Sequence, residues 1–220
     1  MSAARTLPTA VKHWPRRLLQ RWLVLALAAP LALVAWAQTE SPDAMVRRVS
    51  DEVLNILQTS RTGPGSPEVM AKVQALVLPN FDFERITALA TGVSWRGATP
   101  AQRAQLTEQF RTLLVRTYSS SLSRYQNQTL EVQAPRYSGD KKKANLRSLL
   151  RQPGAPTITI DYRMAARAAS WKVYDVSVDG VSLVTTYRDT FADEVRNNGV
   201  DGLIRMLIDK NQTLAAKAAA

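Results

Sequence analysis

The 220-residue chain reads as an α+β fold in which helices from both ends of the sequence pack on a curved, mainly antiparallel four-stranded sheet. Two features predict this. Apolar residues recur at helical spacing from about residue 41 to 126 and again from about 182 to 214, whereas between 129 and 178 the period shortens to two. The loops inside that middle stretch are short and polar, which suits an antiparallel meander and leaves no room for crossover helices.

Ser41-Pro42-Asp43 supplies an N-cap, a proline at the first helical position and an acidic first turn. Met45, Val46, Val49, Val53, Ile56 and Leu57 then carry a helix to about Ser60, and Arg61 to Gly65 form a turn. Ser66-Pro67-Glu68 repeats the start signal, with Val69, Val73 and Leu76 leading to a break at Pro79. A short helix over Phe81 to Thr91 stops at Gly92. Thr99-Pro100-Ala101-Gln102 is a capping box. It opens the longest helix, to about Gln126, with Leu106, Phe110, Leu113, Leu114, Tyr118, Leu122 and Tyr125 on one stripe. Four strands follow, at Thr129 to Gln133, about Ala144 to Arg151, Thr157 to Met164 and Ser170 to Val178. In the third, Ile158, Ile160, Tyr162 and Met164 alternate with Thr157, Thr159, Asp161 and Arg163. After Asp179-Gly180 a helix runs from about Ser182 to Asn197 and ends at Gly199, a last helix spans Asp201 to Leu214, and the Ala/Lys tail frays. There is no internal repeat and no linker, so residues 38–220 form one domain.

Residues 1–37 have the three parts of a secretory signal peptide. Arg5, Lys12, Arg16, Arg17 and Arg21 form a basic start free of acidic residues, Trp22 to Val34 an apolar run interrupted only by Pro30, and Ala35-Trp36-Ala37 a small-x-small cleavage site. The run is short for a membrane span, which needs about 20 residues. Cleavage after Ala37 would leave 183 residues, enough for one domain that buries roughly 70% of its chain surface. The leader removes five of the 29 Lys+Arg, so the remainder carries 24 bases against 18 acids, a net charge of +6. That mild excess favours solubility and anionic surfaces without pointing to nucleic acid.

The only histidine, His13, lies in the leader, and there is no cysteine. Residues 38–220 therefore lack the means for Ser-His-Asp or Cys-His nucleophilic catalysis, for zinc sites built on His or Cys, and for disulfides. An enzyme would have to work with carboxylates, Lys, Tyr or an oxygen-ligated metal. The residues point to no catalytic group, no metal and no cofactor.

Five segments recur in a telling order: Gly92-Val93-Ser94-Trp95-Arg96-Gly97-Ala98-Thr99, Trp171-Lys172-Val173-Tyr174-Asp175-Val176, Gly180-Val181-Ser182-Leu183, Tyr187-Arg188-Asp189-Thr190-Phe191 and Gly199-Val200-Asp201-Gly202-Leu203-Ile204. Together they resemble the MlaC family of toluene-tolerance and lipid-asymmetry proteins, from the first helix to Leu207. The resemblance implies a non-enzymatic, monomeric periplasmic protein with an apolar cavity for phospholipid acyl chains. It also implies two partners, an inner-membrane ABC transporter complex and an outer-membrane lipoprotein–porin complex. It brings no cofactor, metal or catalytic residue.

Two acyl chains of about 16 carbons leave a bilayer at a cost of about 25 kcal/mol, at about 0.8 kcal/mol per CH₂, so a carrier needs apolar surface beyond its own core. Periodicity nominates Phe110, Leu114, Tyr118 and Leu122 on the long helix with Ile158, Ile160, Tyr162 and Val173 on the sheet; each is equally an ordinary packing residue. Trp95-Arg96 reads as a buried Trp with a stacked or capping Arg, or as a partner contact. Lys141-Lys142-Lys143 reads as a solvated hairpin loop or as a contact for lipid headgroups or an acidic partner. Asp175 and Asp179 read as solvent-facing strand and turn residues. Two other classes of function stay open at this point: a cavity enzyme using a carboxylate, and a periplasmic adaptor whose interior is all core.

Overall fold

The computed structural model describes residues 40–122, 128–168 and 170–219, with the side chains of 120–122 and 219 outside the description. The leader, its cleavage site and the long helix beyond Leu122 lie outside these residues.

The capping signals act as written. Helix α1 (Pro42–Thr59) begins with Ser41 Oγ accepting the Ala44 N–H at 3.3 Å, and α2 (Pro67–Val77) with Ser66 Oγ accepting the Val69 N–H at 3.4 Å. Pro79 turns the end of α2 into a 3-10 turn, Leu78–Asn80. The next helix, α3 (Phe83–Thr91), starts two residues later than the pattern suggests. Phe81 is instead extended and bridges to Val173 of a strand, the Asp82 N–H donating to Val173 O at 2.9 Å, and Asp82 then caps α3 through the Arg85 N–H. A four-residue helix, α4 (Ser94–Gly97), precedes α5 (Pro100–Leu122), whose capping box is closed in both directions between Thr99 and Gln102.

The sheet has six strands: β1 (Thr129–Val132), β2 (Arg136–Tyr137), β3 (Lys143–Arg151), β4 (Ile158–Arg167), β5 (Ser170–Val178) and β6 (Val181–Ser182). Four were expected; β2 and β6 are two residues long and carry no alternation to read. All pairs are antiparallel, in the order β1-β3-β4-β5-β6, with β2 also on β3. Together β1 and β2 make one interrupted edge, broken at Pro135, which has no N–H to give to the ladder. A β-bulge at Tyr174 sets Val173 against Met164 and Asp175 against Arg163. Strict alternation would have put Asp175 on the face of Val173; the bulge turns it to the other side and brings Val176 and Val178 inward.

The C-terminal span α6 (Leu183–Ala219) is two helices joined at a kink, as the pattern suggests, with non-helical backbone at Gly199, where φ is 71° and ψ −178°. The tail expected to fray continues the helix to Ala219; Leu214 packs on the core, and Ala and Lys are good helix formers. At the kink a Cβ on Gly202 would lie 2.3 Å from Asn198 Cβ, so both glycines of Gly199-Val200-Asp201-Gly202 have a steric reason. Around Gly199 the space is open, so Gly199→Ala should cost only the backbone strain, about 1–3 kcal/mol, read from the midpoint of urea unfolding.

Side chains collect into three cores. Helices α3, α5 and α6 form the first, around Phe110, Phe191, Leu106, Leu113, Leu203 and Leu207. The second lies between α1 and one face of the sheet, here called the inner face: Met45 and Val46 on Val132, Ala144, Leu146, Met164, Trp171 and Val173. The third, Leu57, Val69 and Val73, fixes α1 to α2. Among the described residues, Phe81 is the sole side chain packed against both the first core and the second. No helix among the described residues is long and apolar enough to cross a membrane.

Candidate functional site

The inner face of the sheet is sealed at one end and bare at the other. At the sealed end Met164, Ala144, Leu146 and Val173 are all buried beneath α1. Further along, Tyr162 and Val176 are half-buried, as is Ile160. At the far end the face comes into the open, with Ile158 37% and Val178 39% exposed and Leu150 beside them. Ile158, Ile160, Leu150 and Val178 belong to none of the three cores.

The helix layer has its own half-exposed aromatics. Strand β6 pairs with Ser177 and Val178, and α6 follows directly. In α6 Tyr187 packs edge-on against Phe110, centroids 5.0 Å apart, and tilted against Phe191 at 5.6 Å. Tyr118 is 39% exposed; partial burial, and then the neighbouring Tyr187, push its hydroxyl above the ordinary phenol range. Burial also raises Tyr187, partly offset by its hydrogen bond with Thr117. Burial raises Tyr162 in the same way, with Ser148 pulling it back. All three phenols stay neutral at physiological pH and present mainly ring surface.

Of the nominated residues, Ile158, Ile160 and Tyr162 therefore lie together on the open part of the inner face, and Tyr118 at the rim of the helix layer. Phe110 and Leu114 are inside the helix core, 0% and 6% exposed, and Val173 is inside the sheet core. The side chain of Leu122 lies outside the described residues.

Two open grooves were not nominated from sequence. One, of about 470 Å³, is lined by Ala71, Gln74, Ala75, Leu78, Pro79, Phe83 and Arg111. Its wall Phe83 stacks on Phe81 at 5.6 Å, which puts this groove one ring away from the side chain joining the two cores. The signal for it was the Ala71/Ala75 pair, small residues four apart, next to the Val69/Val73 stripe. The other groove, of about 440 Å³, lies at the α1–α2 turn beside Arg61 and Lys72.

Two expectations about charged residues change, and a third is met. Asp175 is not solvent-facing but 3% exposed: both its oxygens accept from Ser182 Oγ at 2.9 Å, and one accepts the Val184 N–H at 3.3 Å, with Arg163 3.8 Å away. It holds the first turn of α6, where a carboxylate also meets the positive end of the helix dipole. The cation over Trp95 is Arg103, not the adjacent Arg96: it lies 5.5 Å from the ring centroid and donates to the Trp95 and Arg96 carbonyls. This joins α4 to α5. Lys141 and Lys142 in the β2–β3 turn and Lys143 at the start of β3 are all exposed, and the turn's shape is set by Asp140 accepting from Ser138 Oγ and the Lys142 N–H.

A family model described as MlaC protein matches residues 47–209. The chain belongs to the MlaC family. Among MlaC relatives it is 30% identical over 188 residues to the toluene tolerance protein ttg2D of Pseudomonas putida, covering 84% of this chain and 86% of that one. It is 23% identical over 194 residues to the intermembrane phospholipid transport system binding protein MlaC of Haemophilus influenzae, covering 84% and 91%. A solved structure of a phospholipid-binding protein from Ralstonia solanacearum, in complex with a phospholipid, matches this MlaC fold with a TM-score of 0.71 at 33% identity, over 79% of this chain and 98% of that one.

Proposed function

We propose that this MlaC-family chain is a monomeric periplasmic carrier that holds a phospholipid by its acyl chains and moves it between an outer-membrane lipoprotein–porin complex and an inner-membrane ABC transporter complex. The observation that carries the reading is the inner sheet face, which continues past the sealed core as the bare stretch Ile160–Ile158 beside Val178. Side chains of that kind, left half in water, lose free energy until something apolar covers them. The phospholipid-bound Ralstonia structure of the same fold supports acyl chains as that cover. In this reading Ile158, Ile160 and Tyr162 line the chains from the sheet, with Tyr118 and the far stripe of α5 bordering them from the helices.

A carboxylate enzyme is the weaker reading. Asp175 is the sole buried carboxylate among the described residues, it points away from the inner face, and its oxygens are taken up in anchoring α6. A carboxylate so placed faces the start of α6 rather than the apolar site.

The test is a gentle, detergent-free purification of the secreted protein, followed by solvent extraction. Diacyl phospholipid in near-stoichiometric amount is expected, on a chain whose N-terminal sequence begins at Gln38. Repeated preparations without lipid would favour an adaptor, and a form retaining Trp22 to Val34 in the membrane fraction would overturn the compartment.

A further inference from the structure

The net charge of the chain is not spread evenly. Of the 24 bases and 18 acids in residues 38–220, nine bases and only two acids fall in residues 136–172, from β2 to the start of β5. The rest is almost balanced, 15 bases against 16 acids. Strand alternation then sends much of this charge to one side. On β3, where Ala144 and Leu146 face inward, Lys143, Arg147 and Arg151 face the opposite, outer side, and all three are exposed. Arg136 on β2 and Arg163 on β4, both paired with the outward Asn145, are exposed on the same side.

The acids nearby do not balance these cations. Asp161 is taken up by Arg147 at 2.7 and 3.0 Å, and Glu131 by Arg151 at 2.9 Å. Arg163 lies over the Tyr174 ring, 3.8 Å from the buried Asp175. That leaves Arg136, Lys141, Lys142 and Lys143 on the β2–β3 hairpin, none of them in an ion pair among the described residues. Asp140, the acid of the turn, accepts from Ser138 Oγ and the Lys142 N–H and offsets one of these four charges.

The character of the uncommitted charges selects the partner. The forked guanidinium groups of Arg147 and Arg151 are engaged within the sheet, and three of the four groups left over are lysines. A lysine is a compact charge on a flexible stem, suited to a diffuse field more than to a fixed geometry. From Lys143 to Arg151 the outer cations also run about 27 Å along β3, wider than one small anion. An extended anionic surface answers both features. We propose that the outer face of β2, β3 and β4, led by the β2–β3 hairpin, docks on a membrane leaflet rich in anionic headgroups. The inner face lies on the other side of the sheet, so this contact leaves its bare apolar stretch uncovered, and it stands whatever that stretch holds.

The test sediments the secreted protein with vesicles of neutral phosphatidylcholine and with vesicles holding about 30% phosphatidylglycerol, at about 0.1 M and about 0.5 M salt. Wild type should pellet with the anionic vesicles at the lower salt, come off them at the higher, and stay in solution beside the neutral ones. The triple variant Arg136→Gln, Lys142→Gln, Lys143→Gln spares the left-handed backbone at Lys141. It should bind the anionic vesicles about a hundredfold more weakly, roughly fivefold for each cation. Removing three exposed cations from α6 instead, by Arg205→Gln, Lys210→Gln and Lys217→Gln, should change binding by no more than about threefold. Both variants should melt with wild type. Equal binding of wild type to neutral and anionic vesicles, or equal losses in the two triple variants, would overturn the assignment. Failure of wild type to bind anionic vesicles at the lower salt would also overturn it and give the face to an acidic protein.

Discussion

Ile160→Trp is expected to yield a folded protein that melts within a few degrees of wild type but carries markedly less phospholipid. Position 160 lies mid-strand on the inner face, half-buried and in no core, between Ile158 and Tyr162 on the same side. A larger ring there has space to enter, and it occupies the volume proposed for an acyl chain. The matched control is Phe110→Ala, at a residue that is wholly buried among Tyr187 and Phe191. Removing that ring should cost about 3–5 kcal/mol. Leu114→Trp falls between: at 6% exposure inside the helix core, it should lose about 1–3 kcal/mol through overpacking. Thermal melts and lipid extraction of the three variants decide the matter. Heavy destabilisation by Ile160→Trp, with full lipid on the fraction that folds, would make the open end of the sheet face ordinary packing.

The second large effect belongs to Asp175. Asp175→Ala leaves Ser182 Oγ and the Val184 N–H without their acceptor and removes a carboxylate from the start of α6. A loss of about 3 kcal/mol is expected, the range for removing one member of a buried charged network. Asp175→Asn keeps one acceptor oxygen and should lose about half as much. Urea denaturation reads both. A loss below 1 kcal/mol for Asp175→Ala would mean that α6 is held by its apolar contacts alone.

The sequence displayed the helices with particular clarity because their starts are local chemistry: Ser41-Pro42, Ser66-Pro67 and the Thr99/Gln102 box each act within one turn. The long strands were legible for the same reason, since the alternation of Ile158, Ile160, Tyr162 and Met164 survives intact in β4. What escaped depends on distant partners. The extended conformation of Phe81 is set by Val173, more than ninety residues away in the chain. The burial of Asp175 depends on a bulge at Tyr174 that no single-strand pattern reveals. The stacking of Arg103 on Trp95 crosses from one helix to another, so the neighbouring Arg96 looked the better partner. For the site, periodicity found the inward face of the sheet. It could not separate Ile160 on the open stretch from Phe110 in the core, because both carry the same apolar signal and differ only in what lies above them. The complete burial of Ser148 was equally invisible: a serine in a strand is unremarkable until its neighbours are known.

Phe81 makes the two large cores separate units of cooperativity. Each core is closed on itself, and Phe81 is the described side chain that packs against both. The neighbouring Asp82–Arg167 ion pair, with Arg167 half-exposed and Asp82 mostly buried, adds a polar tie at the same place. In apolar terms, parting the helix layer from the sheet mainly withdraws one phenylalanine ring, at about 1.5–3 kcal/mol, far below the free energy of global unfolding. The same seam is held by the Asp82 N–H on Val173 O and by Arg85 stacked on the Tyr174 ring, while Asp175 ties α6 to β5.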